Sequence, residues 1–160
     1  MTPFRVFAID SSLSDQARAE LRSPQYGHPA HAEVAAGYGP CRSCLDVFRV
    51  GEDRRLLFTY DPFAGLDGYP SPGPVFIHAD HCAPYEQTST FPQGLRALPL
   101  TLEGYGPDRW LIARERPAPQ DIEEAIGRIF SRAEVQYIHV RNTEAGCFIA
   151  RIERERSATQ

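Results

Sequence analysis

Thiol and imidazole side chains, the residue types that bind soft divalent metal ions, occur in two short segments of the chain. Cys41 and Cys44 are separated by two residues, and His78, His81 and Cys82 follow in the second segment. Thiolates two residues apart on a tight turn can face one ion, and an imidazole and a further thiolate can complete a tetrahedron. Zinc is the default ion for sulfur and nitrogen ligands. The spacing therefore predicts a zinc site, provided that the two segments pack against each other.

Three other interpretations of these cysteines remain open. They can be packed, unreactive thiols, and a disulfide between Cys44 and Cys82 is a second alternative. Arg42 follows Cys41 and would favour its thiolate form, and Cys41 and Cys44 have the spacing of a redox pair. The βαβ context of a thioredoxin-like site is missing, however, which argues against redox chemistry. Arg42 is equally explained by an ion pair with a carboxylate.

A further group of polar residues lies in a predicted C-terminal hairpin with strands at 135–142 and 147–154. Cysteine, histidine and asparagine are the residue types of a cysteine hydrolase. The expected register, however, separates the Cβ atoms of Cys147 and His139 by about 7–8 Å, which is too long for a direct hydrogen bond. Two hypotheses remain for these residues and for Cys41. The protein is either a thiol-dependent enzyme that uses Cys41 or Cys147, or a module that binds a small molecule or anion. The candidate ligand-binding residues are Arg42, Tyr60, His139, Asn142, Cys147 and Arg151.

Alternating apolar residues predict the register of this hairpin. Ile138 and Val140 on one strand and Phe148, Ala150 and Ile152 on the other should share the core face. A slip of one residue would move one of these sets to the other face. We therefore expect Val140 opposite Phe148 and Ile138 opposite Ala150, with residue 149 on the polar face.

Hydrophobic periodicity also predicts the other elements. The clearest helix is 119–132, where the apolar residues follow helical spacing, and a shorter helix is predicted at 14–22 with Ser14 as its cap. Strands are predicted at 4–9, 56–60, 75–79, 98–102 and 110–114, and a loop at 24–32. Because the strands follow one another, we expect an α+β fold: a mostly antiparallel sheet with the main helix, from the C-terminal half, packed on one face. Residues 1–160 should form a single domain, with 1–3 and 155–160 frayed.

Composition narrows the classes of function. The formal net charge is −4, so no global field attracts nucleic acid. The sequence contains no lysine, which excludes Schiff-base chemistry. No export signal or membrane span is evident, and we expect a cytoplasmic protein. Phosphate loops and dinucleotide-binding glycine patterns are absent from the sequence. A homodimer is compatible with the sequence.

Several segments together resemble a known family. Residues 39–45 read GPCRSCL and resemble the motif PCRxCL, and residues 73–85 read GPVFIHADHCAPY, which is similar to GPIFIHAxxCxxY. Residues 137–142, 146–148 and 151–154 resemble the C-terminal signature of the same family, the bacterial domain-of-unknown-function family 1203 (DUF1203). The resemblance spans nearly the whole chain. It implies a bacterial origin but no reaction, because the family is named for lacking one.

Overall fold

The computed structural model describes residues 3–66, 68, 70–86 and 88–155. Within these residues the chain forms eight strands and two α-helices. In chain order they are β1 (Phe4–Phe7), α1 (Ser11–Glu20), β2 (His31–Val34), β3 (Arg54–Tyr60), β4 (Gly73–His78), β5 (Leu100–Tyr105), β6 (Leu111–Glu115), α2 (Ile122–Phe130), β7 (Tyr137–Asn142) and β8 (Phe148–Arg154). The α+β class is confirmed.

The strands form two sheets rather than one. The larger has the order β1-β8-β7-β5-β6 and the smaller the order β2-β3-β4, and every pairing is antiparallel. The small sheet includes β2, part of which was predicted to be loop. Its residues pair with β3, from His31 opposite Leu57 to Val34 opposite Arg54. None of them is buried, so no apolar alternation marked this strand in the sequence.

The face predicted for α2 is confirmed. Its apolar residues are buried against the large sheet, after a 3₁₀ turn at Pro119–Asp121 that replaces the first predicted helical turn. Gly104 on β5 permits this packing, because a Cβ there would lie 2.5 Å from Cγ2 of Ile129. The α-helix ends at Phe130, two residues before the predicted end.

The N-terminal helix begins three residues earlier than predicted. Asp10, and not Ser14, is the cap: its carboxylate accepts a hydrogen bond from Ser12 N at 3.2 Å. Ser14 is buried inside the helix, which ends where Leu21 adopts a left-handed conformation with φ 53°. It has 10 residues, whereas α2 and the 3₁₀ turn directly before it together span the 12 residues 119–130, so the N-terminal helix is the shorter helical segment, as predicted.

The predicted register of the hairpin was also wrong. Val140 pairs with Ala150, and a bulge follows, beyond which Arg141 pairs with Phe148. β8 thus contains one extra residue at this point. Beyond the bulge, its side chains therefore lie on the faces opposite to those predicted by simple alternation. Ile149 is therefore buried in the main core, whereas Phe148 lies on the opposite face. The burial predicted for Ile138, Val140, Phe148 and Ala150 is confirmed.

The two sheets have separate cores. The larger core lies between α2 and the large sheet, and the second joins the small sheet, Ala17 of α1 and Cys41. Pro3 and Glu155, both in segments expected to fray, are joined by a hydrogen bond of 3.0 Å. The other terminal residues, 1–2 and 156–160, lie outside the described residues. Among the described helices, none has the length and apolar character needed to span a membrane.

Candidate metal centre

Cys41 and Cys44 lie in a short turn that is closed by its own backbone. Pro40 and Val47 form an antiparallel bridge, and Cys41 N donates to Asp46 O at 2.9 Å. Leu45 N donates to Cys41 O at 2.8 Å, and Leu45 itself has a positive φ of 59°. This tight turn brings the two sulfur atoms to one side.

The end of β4 supplies the other two side chains. His78 is the last residue of this strand, and Cys82 follows four residues later. The turn packs beside the strand, because Arg42 N donates to Phe76 O at 3.0 Å and His78 N donates to Sγ of Cys41 at 3.3 Å. The packing of the two segments, on which the metal hypothesis depended, is thus present.

Four ligand atoms converge at this point. The Sγ atoms of Cys41, Cys44 and Cys82 and a ring nitrogen of His78 all lie within 4.8 Å of one another. The sulfurs of Cys41 and Cys82 are 3.9 Å apart, and Sγ of Cys44 is 3.6 Å from Nδ1 of His78. A tetrahedron with Zn–S bonds near 2.3 Å has edges of about 3.8 Å. The cluster therefore has the size and donor set to hold a metal ion, and all its cysteines are free thiols.

The other nitrogen of His78 is held by Asp53, a residue that the sequence analysis missed. Nε2 lies 3.3 Å from Oδ2 of Asp53, whose carboxylate accepts hydrogen bonds from N and Nε of Arg49 at 2.8 and 3.1 Å. Hydrogen bonds from the Arg49 backbone and side chain lower the pKa of Asp53 to about 2, so this carboxylate is ionised at neutral pH. A carboxylate on the far nitrogen orients a metal-binding imidazole. Here it directs Nδ1 toward the sulfurs.

The three thiols have unequal acidities without a metal. Hydrogen bonds from Cys44 and Cys82 hold the pKa of Cys41 below its usual range, although burial opposes the shift. The bonds to Cys41 raise the pKa values of Cys44 and Cys82, and the bond with Cys41 raises the pKa of His78. Of the three thiols, the buried Cys41 is therefore the one that loses its proton most readily. Nη2 of Arg18 donates to Sγ of Cys82 at 3.2 Å and supplies a nearby positive charge.

The cluster opens onto a cavity of about 460 Å³. Cys44, His78 and Cys82 line this cavity, while Cys41 is fully buried behind them. His81, the fifth predicted metal ligand, also lines the cavity but is not among the four converging residues.

The predicted ligand-binding residues do not converge on one site. Arg42 is buried and donates to the carbonyl oxygens of Phe148 and Pro40 at 2.8 and 2.7 Å, so backbone oxygens replace the expected carboxylate. Tyr60 and Cys147 share a separate cavity of about 230 Å³. The remaining three candidates, Asn142, Arg151 and His139, lie elsewhere.

Two of these three have local partners. Oδ1 of Asn142 accepts hydrogen bonds from the backbone of residues 144 and 145 and so stabilises the hairpin turn. Nε of Arg151 pairs with Glu153 at 2.8 Å, and its guanidinium lies 4.1 Å from the ring centre of Tyr137. Both interactions explain these residues without a ligand.

His139 is fully buried among aromatic rings. The ring centres of Phe63, Tyr105, Tyr137 and Phe148 lie 4.7–5.3 Å from its own. Neither ring nitrogen has a hydrogen-bond partner among the described residues. Burial, reinforced by nearby arginines, lowers the pKa of His139 well below its usual value, so the imidazole is neutral.

Comparisons with known proteins add a family but no activity. Residues 38–154 match the family model described as "Protein of unknown function (DUF1203)". No curated protein and no solved structure matches the chain. The matched segment contains both halves of the Cys/His cluster and the C-terminal hairpin. Since the match covers most of the chain, the protein belongs to the DUF1203 family.

Proposed function

We propose that this protein binds one zinc ion through Cys41, Cys44, His78 and Cys82. The observation that carries the proposal is the approach of all four ligand atoms to within 4.8 Å of one another. Two of these separations, 3.9 Å between the sulfurs of Cys41 and Cys82 and 3.6 Å between Sγ of Cys44 and Nδ1 of His78, are close to the edge of a zinc tetrahedron. Three thiolates and an imidazole form a soft donor set, which favours zinc over calcium or magnesium, since those ions prefer oxygen ligands.

The surroundings support this assignment. Three thiolates and one zinc ion carry a net charge of −1, and the guanidinium of Arg18 lies against the sulfur of Cys82. The backbone N–H of His78 points at the sulfur of Cys41, and Asp53 holds the imidazole from behind. Both the sulfur ligands and the imidazole thus have hydrogen-bond partners behind them, and such partners orient metal ligands and adjust the affinity of the site.

Four protein ligands favour a structural role for the zinc. A tetrahedron completed by side chains leaves no open coordination position, whereas catalytic zinc keeps one. The ion would cross-link the 41–44 turn to the end of β4, and Arg18 would connect both to α1 through its hydrogen bond to His78 O at 2.9 Å. We expect the metal to stabilise the small sheet and its connections.

The test is the metal content of protein that was never exposed to chelator. We expect about one zinc per chain for the wild type, measured by mass spectrometry of the metal, and a large loss in Cys44→Ser. Cys147→Ser is the matched control. Because Cys147 lies outside the cluster, this variant should keep the zinc content of the wild type. A wild type without zinc, or equal zinc in the two variants, would contradict the proposal.

A thiol redox function is the second candidate. The sulfurs of Cys41 and Cys82 are 3.9 Å apart and could form a disulfide after a shift of about 1.9 Å. With hydrogen peroxide as oxidant, two thiols lose two electrons and two protons, an S–S bond forms, and the peroxide becomes two water molecules.

Peptide mapping of metal-free protein after peroxide treatment tests this candidate. A Cys41–Cys82 disulfide that dithiothreitol reverses is the expected product. Oxidation at Cys147 alone, or only irreversible sulfonic acid in the cluster, would count against it.

A further inference from the structure

A second polar site lies on the face of the large sheet opposite α2. It is a cavity of about 210 Å³ at β5, β6 and β7. Three arginines line it, together with a single carboxylate, Glu103. None of these residues belongs to the Cys/His cluster, so the argument is independent of the proposed metal.

Glu103 orients two of the arginines. It is buried, and its Oε2 accepts hydrogen bonds from Nε and Nη2 of Arg114 at 3.0 and 2.7 Å. Its Oε1 lies 2.7 Å from Nε of Arg141 and accepts a hydrogen bond from the hydroxyl of Tyr105 at 2.9 Å. Burial opposes ionisation of this carboxyl, but the hydrogen bonds from Arg114 and Tyr105 keep its pKa below the usual value.

Some guanidinium N–H groups around this carboxylate lie outside these contacts. Arg114 uses Nε and Nη2 toward Glu103, and Arg141 uses Nε toward Glu103 and Nη1 toward the carbonyl oxygen of Gly146 at 3.1 Å. Arg116 follows Arg114 by two residues, lines the same cavity, is exposed, and forms no ion pair within the described part of the chain. Three guanidinium groups against one carboxylate leave a local charge of about +2 on a protein whose formal charge is −4.

The hydroxyl groups of Thr101 and Thr143 complete the lining, together with Asn142, whose Oδ1 is already used in the hairpin turn. Thr101 and Thr143 share one hydrogen bond of 2.8 Å between their hydroxyl oxygens. Only one of the two hydroxyls donates in that bond, so the other O–H remains free to donate. Guanidinium forks with neighbouring hydroxyls are the groups that recognise phosphate and carboxylate oxygens.

We infer that this cavity binds a small oxyanion, the phosphate or carboxylate group of a ligand, through Arg114, Arg116 and Arg141. Glu103 acts as a positioning residue: it holds two guanidinium groups in place before the ligand arrives, which reduces the entropy lost on binding. Arg116 supplies a charge that no ion pair within the described residues neutralises.

Calorimetric titration at constant ionic strength tests the inference with two probes, inorganic phosphate and malonate. We expect saturable binding of at least one, which shows whether phosphate or carboxylate is preferred. Arg116→Gln should weaken binding about tenfold or more, without changing the melting temperature, because this exposed side chain forms no ion pair with any described residue. Arg128→Gln is the matched control, since Arg128 pairs with Glu115 at 2.8 Å and does not line the cavity.

Three results would overturn the inference: no saturable binding of either probe, binding that survives Arg116→Gln, or equal losses in Arg116→Gln and Arg128→Gln. The zinc content of Arg116→Gln should equal that of the wild type. Failure of the anion site and failure of the metal proposal are therefore distinguishable.

Discussion

The regions around His78 and His139 both pack an imidazole against aromatic rings, but they differ in the polar partners of its two nitrogens. His78 lies 4.7 Å from the ring centre of Phe48, and its two nitrogens face the sulfur of Cys44 and the carboxylate of Asp53. His139 is enclosed by four rings and has no hydrogen-bond partner among the described residues. The pKa of His78 is raised by its bond with Cys41, whereas burial lowers the pKa of His139.

This difference separates a binding group from a packing group. An imidazole held between a carboxylate and thiolates is oriented for a ligand, as the proposed zinc site requires. An imidazole without partners has only the cost of its lost hydration, typically about 1–3 kcal/mol, and no means of recovering it within the described structure. Hence we expect an ion bound at His78 to raise the free energy of unfolding. We also expect that free energy to rise when the imidazole nitrogens of His139 are removed.

The largest effect is expected from breaking the metal site. With free zinc about 1,000 times above the dissociation constant, zinc should stabilise the wild type by about 4 kcal/mol. In Cys41→Ser the free energy of unfolding should be the same in zinc and in EDTA, whereas Cys147→Ser should keep the difference seen in the wild type. Denaturant unfolding in zinc and in EDTA measures these free energies. Equal unfolding midpoints of the wild type in zinc and in EDTA would contradict the expectation.

The next effect concerns the carboxylate behind His78. Asp53→Asn should weaken zinc binding about 10–100-fold while leaving all four ligands in place, because the amide holds the imidazole less firmly. A competition titration against a chromogenic chelator measures the affinity. Glu52→Gln is the control, since Glu52 lines the same cavity without a bond to His78. Equal affinities of the two variants would assign Asp53 no part in orienting the ligand.

Removing the polar atoms of the buried His139 imidazole should stabilise the protein, whereas the two changes at the metal site weaken zinc binding or the stability that zinc provides. His139→Leu keeps a similar volume and removes two nitrogens that have no partner among the described residues, so we expect the free energy of unfolding to rise by about 1–3 kcal/mol at pH 7.5. Zinc content should not change. Destabilisation of His139→Leu would show that the imidazole has a partner in solution, such as a buried water molecule.

The smallest effect is the pH dependence that His139 causes. Its pKa in the folded state lies below the value of about 6.5 in the unfolded chain. Below that pH the unfolded chain therefore binds a proton that the folded protein does not. Stability should fall on acidification by at most about 1.4 kcal/mol per pH unit, until the pH reaches the folded-state pKa. The difference between wild type and His139→Leu from pH 7.5 to 5.5, measured in EDTA, isolates this contribution, and parallel curves would refute it.

Local patterns predicted much of the large sheet and its helix. The helical spacing of Ile122, Ile126 and Ile129 selects one face of α2, and that face is buried. Alternation likewise placed Ile138 and Val140 in the core. The bulge after Val140 was not predictable, because an extra residue in one strand leaves no mark on apolar alternation until the partner strand is known. The start of α1 was missed because Asp10 caps the helix in place of Ser14.

For the candidate site, residue types and spacing identified Cys41, Cys44, His78 and Cys82, but not which histidine joins the thiols. His78 points to them from the end of β4, while His81 lies on the wall of the cavity. Asp53 could not be recognised, since it is one of many acidic residues and becomes distinct only through its contact with His78. The anion-binding hypothesis named Arg42, His139 and Arg151, whereas the arginines that line the polar cavity on the large sheet lie at 114, 116 and 141.

The sequence by itself determined the class of fold, the family and the cysteine and histidine residues that can bind a soft metal, because these depend on local periodicity and on the chemistry of single side chains. Only the tertiary structure decided which of those side chains meet. The convergence of the 41–44 turn with β4, the carboxylate behind His78 and the isolation of His139 all arise from contacts between distant segments. Whether a buried polar group binds a ligand or only packs depends on the partners that such contacts supply.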